Sequence, residues 1–424
     1  MLAAAIPILF LHVSYQPGVA VGFGSTTVNA YLSDFAVLAV VVAAAATVAR
    51  GGFAALVPGR WVWLAGGLFV VWMFLGVALG HQHAASYQWR THGITAAKFA
   101  EYALLAPSAA VLLRRASDVA LCAWTLVLWS CFATLVGIAQ FFGANIFLAG
   151  TVGRRQASFL ASADFAAVSV AALLIGIVGV VTRLDRRLVA LALVTGVLGM
   201  IVAGAMAAVL GLATALVVLV IVLAVRRELD VRRLAVVGAA SLLVLAGAIA
   251  IRGSDLDAFA RFLGAKPGVT HRENKVQTYA HRTLLAWIGW QIWLDRPLVG
   301  VGWEGSAEPA NFEPHLAAAH RRFPDEAPNA FPSAAPDRRY GVQNSWLQAL
   351  ADLGVVGLIL WVAVFVTAAW TAVRGLMAPH ALYALLAIAA LVWLWTAQGF
   401  VAGIPLDALT WLVFGLAAAR MRPE

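Results

Sequence analysis

The sequence predicts an all-α polytopic membrane protein with about 12 transmembrane helices and one large extracytoplasmic loop. Of its 424 residues, 62% are apolar and only 12% are charged, and the mean hydropathy is +0.88. A soluble domain carries roughly 25% charged residues and has too little interior to hide so much apolar surface. The same hydrophobicity excludes intrinsic disorder.

Twelve apolar runs approach the length of about 20 residues that a helix needs to cross a bilayer. They cover residues 1–14, 31–49, 60–80, 93–113, 118–142, 161–182, 188–204, 206–225, 234–252, 345–373, 380–399 and 402–420. Because 188–225 is too long for one span, Gly204 is the expected break. The first run lacks a basic leader segment, which favours a retained helix over a signal peptide.

These runs divide the chain into three regions. An N-terminal transmembrane bundle covers residues 1–252, the large loop covers 253–344, and C-terminal transmembrane helices cover 345–424. The arginines of the short loops predict the orientation. With both termini in the cytoplasm, the outer short loops hold only Arg90, Arg154 and Arg155. All other short-loop arginines are then inside, as the positive-inside rule requires, and the large loop is outside.

The large loop contains one predicted helix, over residues 279–295. Trp287, Trp290 and Trp293 recur on it every three residues. Tryptophan favours the membrane interface, so this helix is expected to lie on the outer leaflet, either as a structural anchor or as a substrate surface. Residues 300–305 match the pattern GxGxxG. No strand precedes them, so they predict a turn, called the glycine turn below, rather than a dinucleotide site.

Ionisable residues also occur within the apolar runs. Lys98 and Glu101 lie three positions apart on one helix face, which predicts an internal ion pair, with a role in chemistry as the alternative. Asp34, Asp352 and Asp407 stand in other runs. Charges at membrane depth are costly, so these side chains are expected to face the bundle interior or a wet cavity.

The outer arginines give the most specific signal. Arg154 and Arg155 precede the sixth run, and Arg282 begins the Trp-rich helix. A guanidinium group matches phosphate oxygens in a bidentate fork. Two such groups facing the outer leaflet would hold a lipid-linked pyrophosphate. For any one of them alone, headgroup binding or helix capping is the alternative.

Three segments and the layout of the spans together resemble the O-antigen ligase and polymerase superfamily. The segments are RRQASF at 154–159 with DFA at 164–166, RTLLAWIGWQIWLDRPLVGVG at 282–302, and NSWLQALADLGVVG at 344–357. The resemblance implies a glycosyltransferase of the bacterial inner membrane. Such enzymes move a glycan from a polyprenyl pyrophosphate, on the outer face, to an acceptor hydroxyl of a lipid, a glycan or a protein. It implies no metal, cofactor or nucleic acid; the partners are the lipid-linked donor, the acceptor and the bilayer.

The resemblance also implies roles for individual residues. Arg155 and Arg282 would stabilise the pyrophosphate leaving group. The family usually has histidine just before the asparagine of the third segment, where this chain has Gln343, which takes no proton at neutral pH. The candidates for a substitute base are His315, His320, Glu304 and Asp337. Of these, Glu304 is preferred because it lies beside the Gly-x-Gly sequence at 300–302. The residues expected to bind substrate are Arg154, Asn344, His315, His320 and Trp287.

A second class of function stays open, namely a non-catalytic polysaccharide-assembly partner or a transporter. Gln343 favours it, as does Ala205-Met206-Ala207, where family members often carry Ser-Arg-Gly. Transporters often show paired internal repeats. The sequence shows no clear repeat and has a single large outer loop, which favours the enzyme.

Overall fold

The computed structural model describes residues 1–23, 26–149, 155–262, 277–323, 341–377, 381–399, 403–404 and 407–420. The helices within these ranges are α1 (Leu2–Leu9), α2 (Leu32–Gly51), α3 (Arg60–His83), α4 (Trp89–Ala103), α5 (Leu105–Leu112), α6 (Ala116–Phe141), α7 (Ser162–Thr182), α8 (Arg186–Ala203), α9 (Met206–Val225), α10 (Val231–Phe262), α11 (Gln277–Asp295), α12 (Pro309–Phe312), α13 (Leu316–Arg322), α14 (Ser345–Gly375), α15 (Leu382–Trp393) and α16 (Ala408–Ala418). The fold is helical as predicted. It also contains an antiparallel hairpin that the sequence analysis missed, β1 (Gly18–Phe23) paired with β2 (Thr26–Tyr31).

Within the described ranges, eight helices are long and apolar enough to cross a membrane. They are Leu32–Gly51, Val57–His83, Ala116–Phe141, Ser162–Thr182, Arg186–Ala203, Met206–Val225, Val231–Ile251 and Ser345–Gly375, with two shorter apolar helices at Leu382–Ala397 and Ala408–Ala418. The predicted count of twelve is therefore not confirmed. The first run forms a helix only as far as Leu9. The run 93–113 is divided between α4 and α5, which part at Leu104.

Two local predictions are confirmed. Gly204 ends α8 in the left-handed conformation, with φ at 60°, which is the usual way for glycine to terminate a helix. The Trp-rich segment forms a helix, α11, that runs two residues further towards the N-terminus than predicted.

The predicted Lys98–Glu101 ion pair is wrong. The Lys98 ammonium instead pairs with the Asp34 carboxylate of α2, which also accepts from the Tyr31 backbone N–H at 2.7 Å. The spacing of residues along one helix cannot reveal a partner on another helix. Asp34 lies in the first turn of α2, where a carboxylate is favoured. Asp407, predicted within the apolar run 402–420, lies just before a helix instead. It caps α16 by accepting from the Thr410 N–H at 2.8 Å.

Helix α14 is broken at Gly354, whose φ is 68°. The break leaves carbonyl groups without helical partners, and the glycine turn satisfies them. The Val301 N–H donates to the Ala351 carbonyl at 3.0 Å, and the Gly302 N–H donates to the Asp352 carbonyl at 2.8 Å. In return the Pro297 carbonyl accepts from the Val355 N–H at 2.9 Å. The second and third sequence segments are thus joined by their backbones.

We expect Gly354→Ala to destabilise the protein markedly. A Cβ there would overlap the Leu298 carbonyl, and an L-residue in the left-handed region costs about 1–3 kcal/mol before any overlap. The measurement is the thermal unfolding midpoint of the detergent-purified protein. The matched control is Gly66→Ala in α3, whose Cβ would meet nothing within 4 Å. Equal midpoints for the two variants would contradict the strained backbone at Gly354.

Candidate functional site

The candidate site begins where the first described turns of α11 meet the N-terminus of α14. The Arg282 Nε donates to the Gln343 Oε1 at 3.1 Å, so two predicted site residues lie in direct contact. A guanidinium group only donates hydrogen bonds, which fixes the orientation of the amide. The Gln343 oxygen faces Arg282, and its NH2 group offers donors in the other direction.

The extended segment that carries Gln343 lies between α11 and the glycine turn. Val342 is buried, and a Cβ on Gly289 of α11 would lie 2.6 Å from it. On the other side, a Cβ on Gly341 would lie 3.6 Å from the Ala307 Cβ. Asn344 follows as the N-cap of α14, its side-chain oxygen accepting from the Leu347 N–H at 2.9 Å.

The glycine turn has the conformation of a turn, as predicted from its sequence context. Gly300 and Gly302 have φ values of 70° and 103°, and the Gly305 N–H donates to the Gly302 carbonyl at 2.8 Å. Glu304 is also left-handed, with φ at 55°. This is uncommon for a residue with a side chain, and it turns the backbone N–H groups that follow towards α14.

Asp352 receives these N–H groups. Its carboxylate is fully buried and accepts from the Glu304 N–H at 3.1 Å and from the Ser306 N–H at 2.8 Å. Gln348, one turn earlier on α14, donates to the same carboxylate at 3.1 Å. Asp352 lies about 12 Å along α14 from its cap, Asn344. Its hydrogen bonds fix the conformation of the turn that presents Glu304.

The residue at the centre of this polar network is His92 of α4, which was not predicted from the sequence. Its side chain is 2% exposed and lies between two carboxylates, with Nδ1 3.1 Å from Glu304 and Nε2 2.7 Å from Glu308. Glu308 is also buried, whereas the Glu304 side chain is 27% exposed. Glu304 is therefore the member of the trio that reaches the surface.

The charge state of His92 follows from this environment. Burial lowers the pKa of the imidazole, but the hydrogen bonds and charges of Glu304 and Glu308 outweigh burial and raise its pKa to about 9. His92 is thus an imidazolium at neutral pH. Its contribution to stability is fully present below the unfolded-state pKa of about 6.5 and is lost as the pH rises through about 9.

Tyr87 closes the network on the side of α3. Its ring lies 4.7 Å from the His92 ring, and its hydroxyl donates to the Trp303 carbonyl at 2.6 Å. Burial first, and then the charges of Asp352, Glu304 and Glu308, hold the pKa of this phenol far above its usual value. The hydroxyl therefore stays protonated and continues to fasten the glycine turn.

Arg155 stands in a different loop, next to a segment that Gln140 of α6 holds in place. The Gln140 oxygen accepts from the Ser158 N–H at 2.8 Å, and its NH2 group donates to the Ile146 carbonyl at 2.7 Å. Arg155 itself is half-buried. Arg154 lies outside the described residues.

The remaining predicted site residues lie on or near the Trp-rich helix, on α13, or outside the described residues. His315 pairs with Asp295 at the end of α11, at 3.2 Å. Trp287 packs edge-on against Phe323, with ring centroids 6.4 Å apart. His320 is on α13, and Asp337 lies outside the described residues.

A family model described as O-antigen ligase matches residues 191–362, a range that contains Arg282, Glu304, Gln343 and Asp352 but neither Arg155 nor His92. No curated protein matches the chain.

Proposed function

Because a family model described as O-antigen ligase matches residues 191–362, we propose that the chain is a member of the O-antigen ligase and polymerase superfamily and transfers a glycan from a polyprenyl pyrophosphate to an acceptor hydroxyl. The match indicates membrane glycosyltransferase activity of the O-antigen ligase kind. The lipid-linked donor, the absence of a metal requirement and a site on the outer face, with both termini cytoplasmic, belong to the proposal. The short-loop arginines support this orientation.

The contact between Arg282 and Gln343 carries the proposal. When the bond between the sugar and the pyrophosphate breaks, negative charge grows on the leaving group, and a preorganised cation stabilises it. Arg282 supplies that cation, and Arg155 is proposed as the second. The Gln343 NH2 group, turned away from Arg282, donates to a pyrophosphate oxygen or orients the acceptor hydroxyl.

Glu304 is proposed as the general base. Its carboxylate is partly exposed, and the segment that follows it lies against the segment leading to Gln343, as the closeness of Gly341 and Ala307 indicates. In the proposed reaction the acceptor oxygen forms the new bond to the anomeric carbon and its proton passes to Glu304. The electron pair of the broken bond leaves with the polyprenyl pyrophosphate.

Substitutions of Gln343 test the pair that carries the proposal. Gln343→Ala removes an orienting amide but leaves the Arg282 cation in place, so we expect transfer to fall by about tenfold. Gln343→His should be tolerated and should add a pH-dependent limb near the histidine pKa of about 6.5. Gln343→Glu places a carboxylate on Arg282 and should reduce transfer far more than alanine does, because it neutralises the cation. The measurement is the initial rate against pH with a lipid-pyrophosphate donor.

A non-catalytic assembly partner or a transporter is the second candidate, and one observation favours it. Met206 begins α9 at the position where family members often carry arginine. Under that reading all three Gln343 variants and the native protein would be equally silent with the native donor and acceptor. A Gln343→Glu variant as active as Gln343→Ala would instead remove the charge-stabilising role of Arg282.

A further inference from the structure

The network around His92 suggests a role that the family match does not cover, since His92 lies outside residues 191–362. It is a buried, charged side chain of α4, in contact with a turn more than 200 positions away in sequence. Each ring nitrogen faces one carboxylate, Glu304 on one side and Glu308 on the other. An imidazolium is the state in which both nitrogens donate.

We propose that His92 is a positioning residue that holds the Glu304 carboxylate in the orientation and charge state required to take the proton of the acceptor hydroxyl. This inference rests on the function proposed above. The two carboxylates that contact His92 differ in exposure, as this role requires. Glu308 is 6% exposed and serves to fix the ring from behind, whereas Glu304 is 27% exposed and can meet a substrate.

The backbone around Glu304 supports a role in positioning. The Glu304 N–H is held by Asp352 at 3.1 Å, and the preceding Trp303 carbonyl is held by the Tyr87 hydroxyl at 2.6 Å. Its side chain is then held by His92. Three elements, α4, α14 and the segment before α4, thus fix one partly exposed carboxylate.

The charges around His92 determine what its removal does. Glu304, Glu308 and Asp352 are acidic, and Tyr87 is neutral, so His92 supplies the positive charge that lies between Glu304 and Glu308. Without it, like charges oppose simultaneous ionisation of these carboxylates. The rate should then require a higher pH before the base is available.

The test is the pH profile of the initial transfer rate in proteoliposomes for His92→Gln and His92→Lys. For His92→Gln we expect the acid-side half-rate pH to rise by about one unit or more, with kcat lowered at neutral pH and KM for the donor little changed. His92→Lys keeps a positive charge and should return the acid limb towards its native position. A residue with only a structural role would lower the rate at every pH and leave the limb in place.

An unmoved acid limb in His92→Gln, with no rescue by lysine, would overturn the proposal. If His92→Gln does not fold, Glu308→Gln provides the test. The transfer rate should fall above about pH 9, where His92 loses its proton, and this basic limb should move to lower pH when one of the two carboxylates is removed. An unmoved basic limb would overturn the proposal equally. Glu304→Gln separates this inference from the function on which it rests. If Glu304→Gln stays fully active, the assignment of Glu304 as general base is wrong. If Glu304→Gln is inactive but the limbs of the His92→Gln and Glu308→Gln profiles do not move, only the role of His92 is wrong.

Discussion

Arg282→Ala should lower the transfer rate by about 10²–10³-fold, the usual cost of removing one preorganised group that stabilises developing negative charge. The side chain contacts Gln343, so its loss also frees the amide to rotate. Arg282→Lys should recover only part of the rate, because an ammonium is a point charge and lacks the planar fork of guanidinium. The measurement is the initial rate at saturating lipid-linked donor.

The matched control is Arg321→Ala. Arg321 is an exposed arginine of α13 and, like Arg282, belongs to the region 253–344 between the two sets of apolar runs. Its loss should leave the rate within about twofold of native, as for a surface arginine whose charge is screened. Arg155→Ala should resemble Arg282→Ala if both cations hold the pyrophosphate. Native rates for both Arg282→Ala and Arg155→Ala would contradict a pyrophosphate clamp built from these two arginines.

Glu304→Gln should lower the transfer rate by about 10²–10⁴-fold, the range typical for loss of a general base. The change keeps the size of the side chain and its oxygen acceptor, so the hydrogen bond to His92 and the backbone contacts with Asp352 are retained. The loss should therefore appear in kcat rather than in the amount of folded protein. The pH profile should also lose its acid limb, because the group proposed to accept the proton is gone.

Glu313→Gln provides the comparison for this variant. Glu313 is exposed and lies nine positions further along the same segment, between α12 and α13. It should transfer at the native rate. A Glu304→Gln variant that keeps both the native rate and the native acid limb would assign the base to another group.

The helices were largely predictable because hydrophobic runs alone determine most of them. The count was not, since it depends on where runs are interrupted. Trp89–Ala103 has only 15 residues, too few to count as a span, and carries Lys98 and Glu101, although its end leads directly into the apolar α5. The hairpin at 18–31 was missed because its alternation is short and lies beside apolar helices.

The candidate site was predictable in its segments but not in its contacts. Arg282 and Gln343 were singled out separately, whereas their hydrogen bond spans 61 positions and depends on how α11 packs on α14. The uninterrupted apolar run 345–373 predicted one continuous helix. The break at Gly354 could not be predicted from this run, because it depends on the contact with the turn at 297–302.

His92 shows the limit most clearly. Its partners are 212 and 216 positions away, and a histidine at the edge of an apolar run has no local pattern that names them. The spacing of Glu304 and Glu308, four apart beside a glycine turn, was the available signal. It became informative only once the turn was seen to pack against α4.

The most direct test of the proposed transfer is the stoichiometry of its products. Purified protein in proteoliposomes would be given a donor labelled in both the glycan and the polyprenyl chain, together with the acceptor. We expect one polyprenyl pyrophosphate to be released for each glycan joined to the acceptor, and neither product with Arg282→Ala. Donor that crosses the bilayer or stays bound with its glycan still attached, and no pyrophosphate release, would contradict glycosyl transfer and favour the transporter or assembly partner.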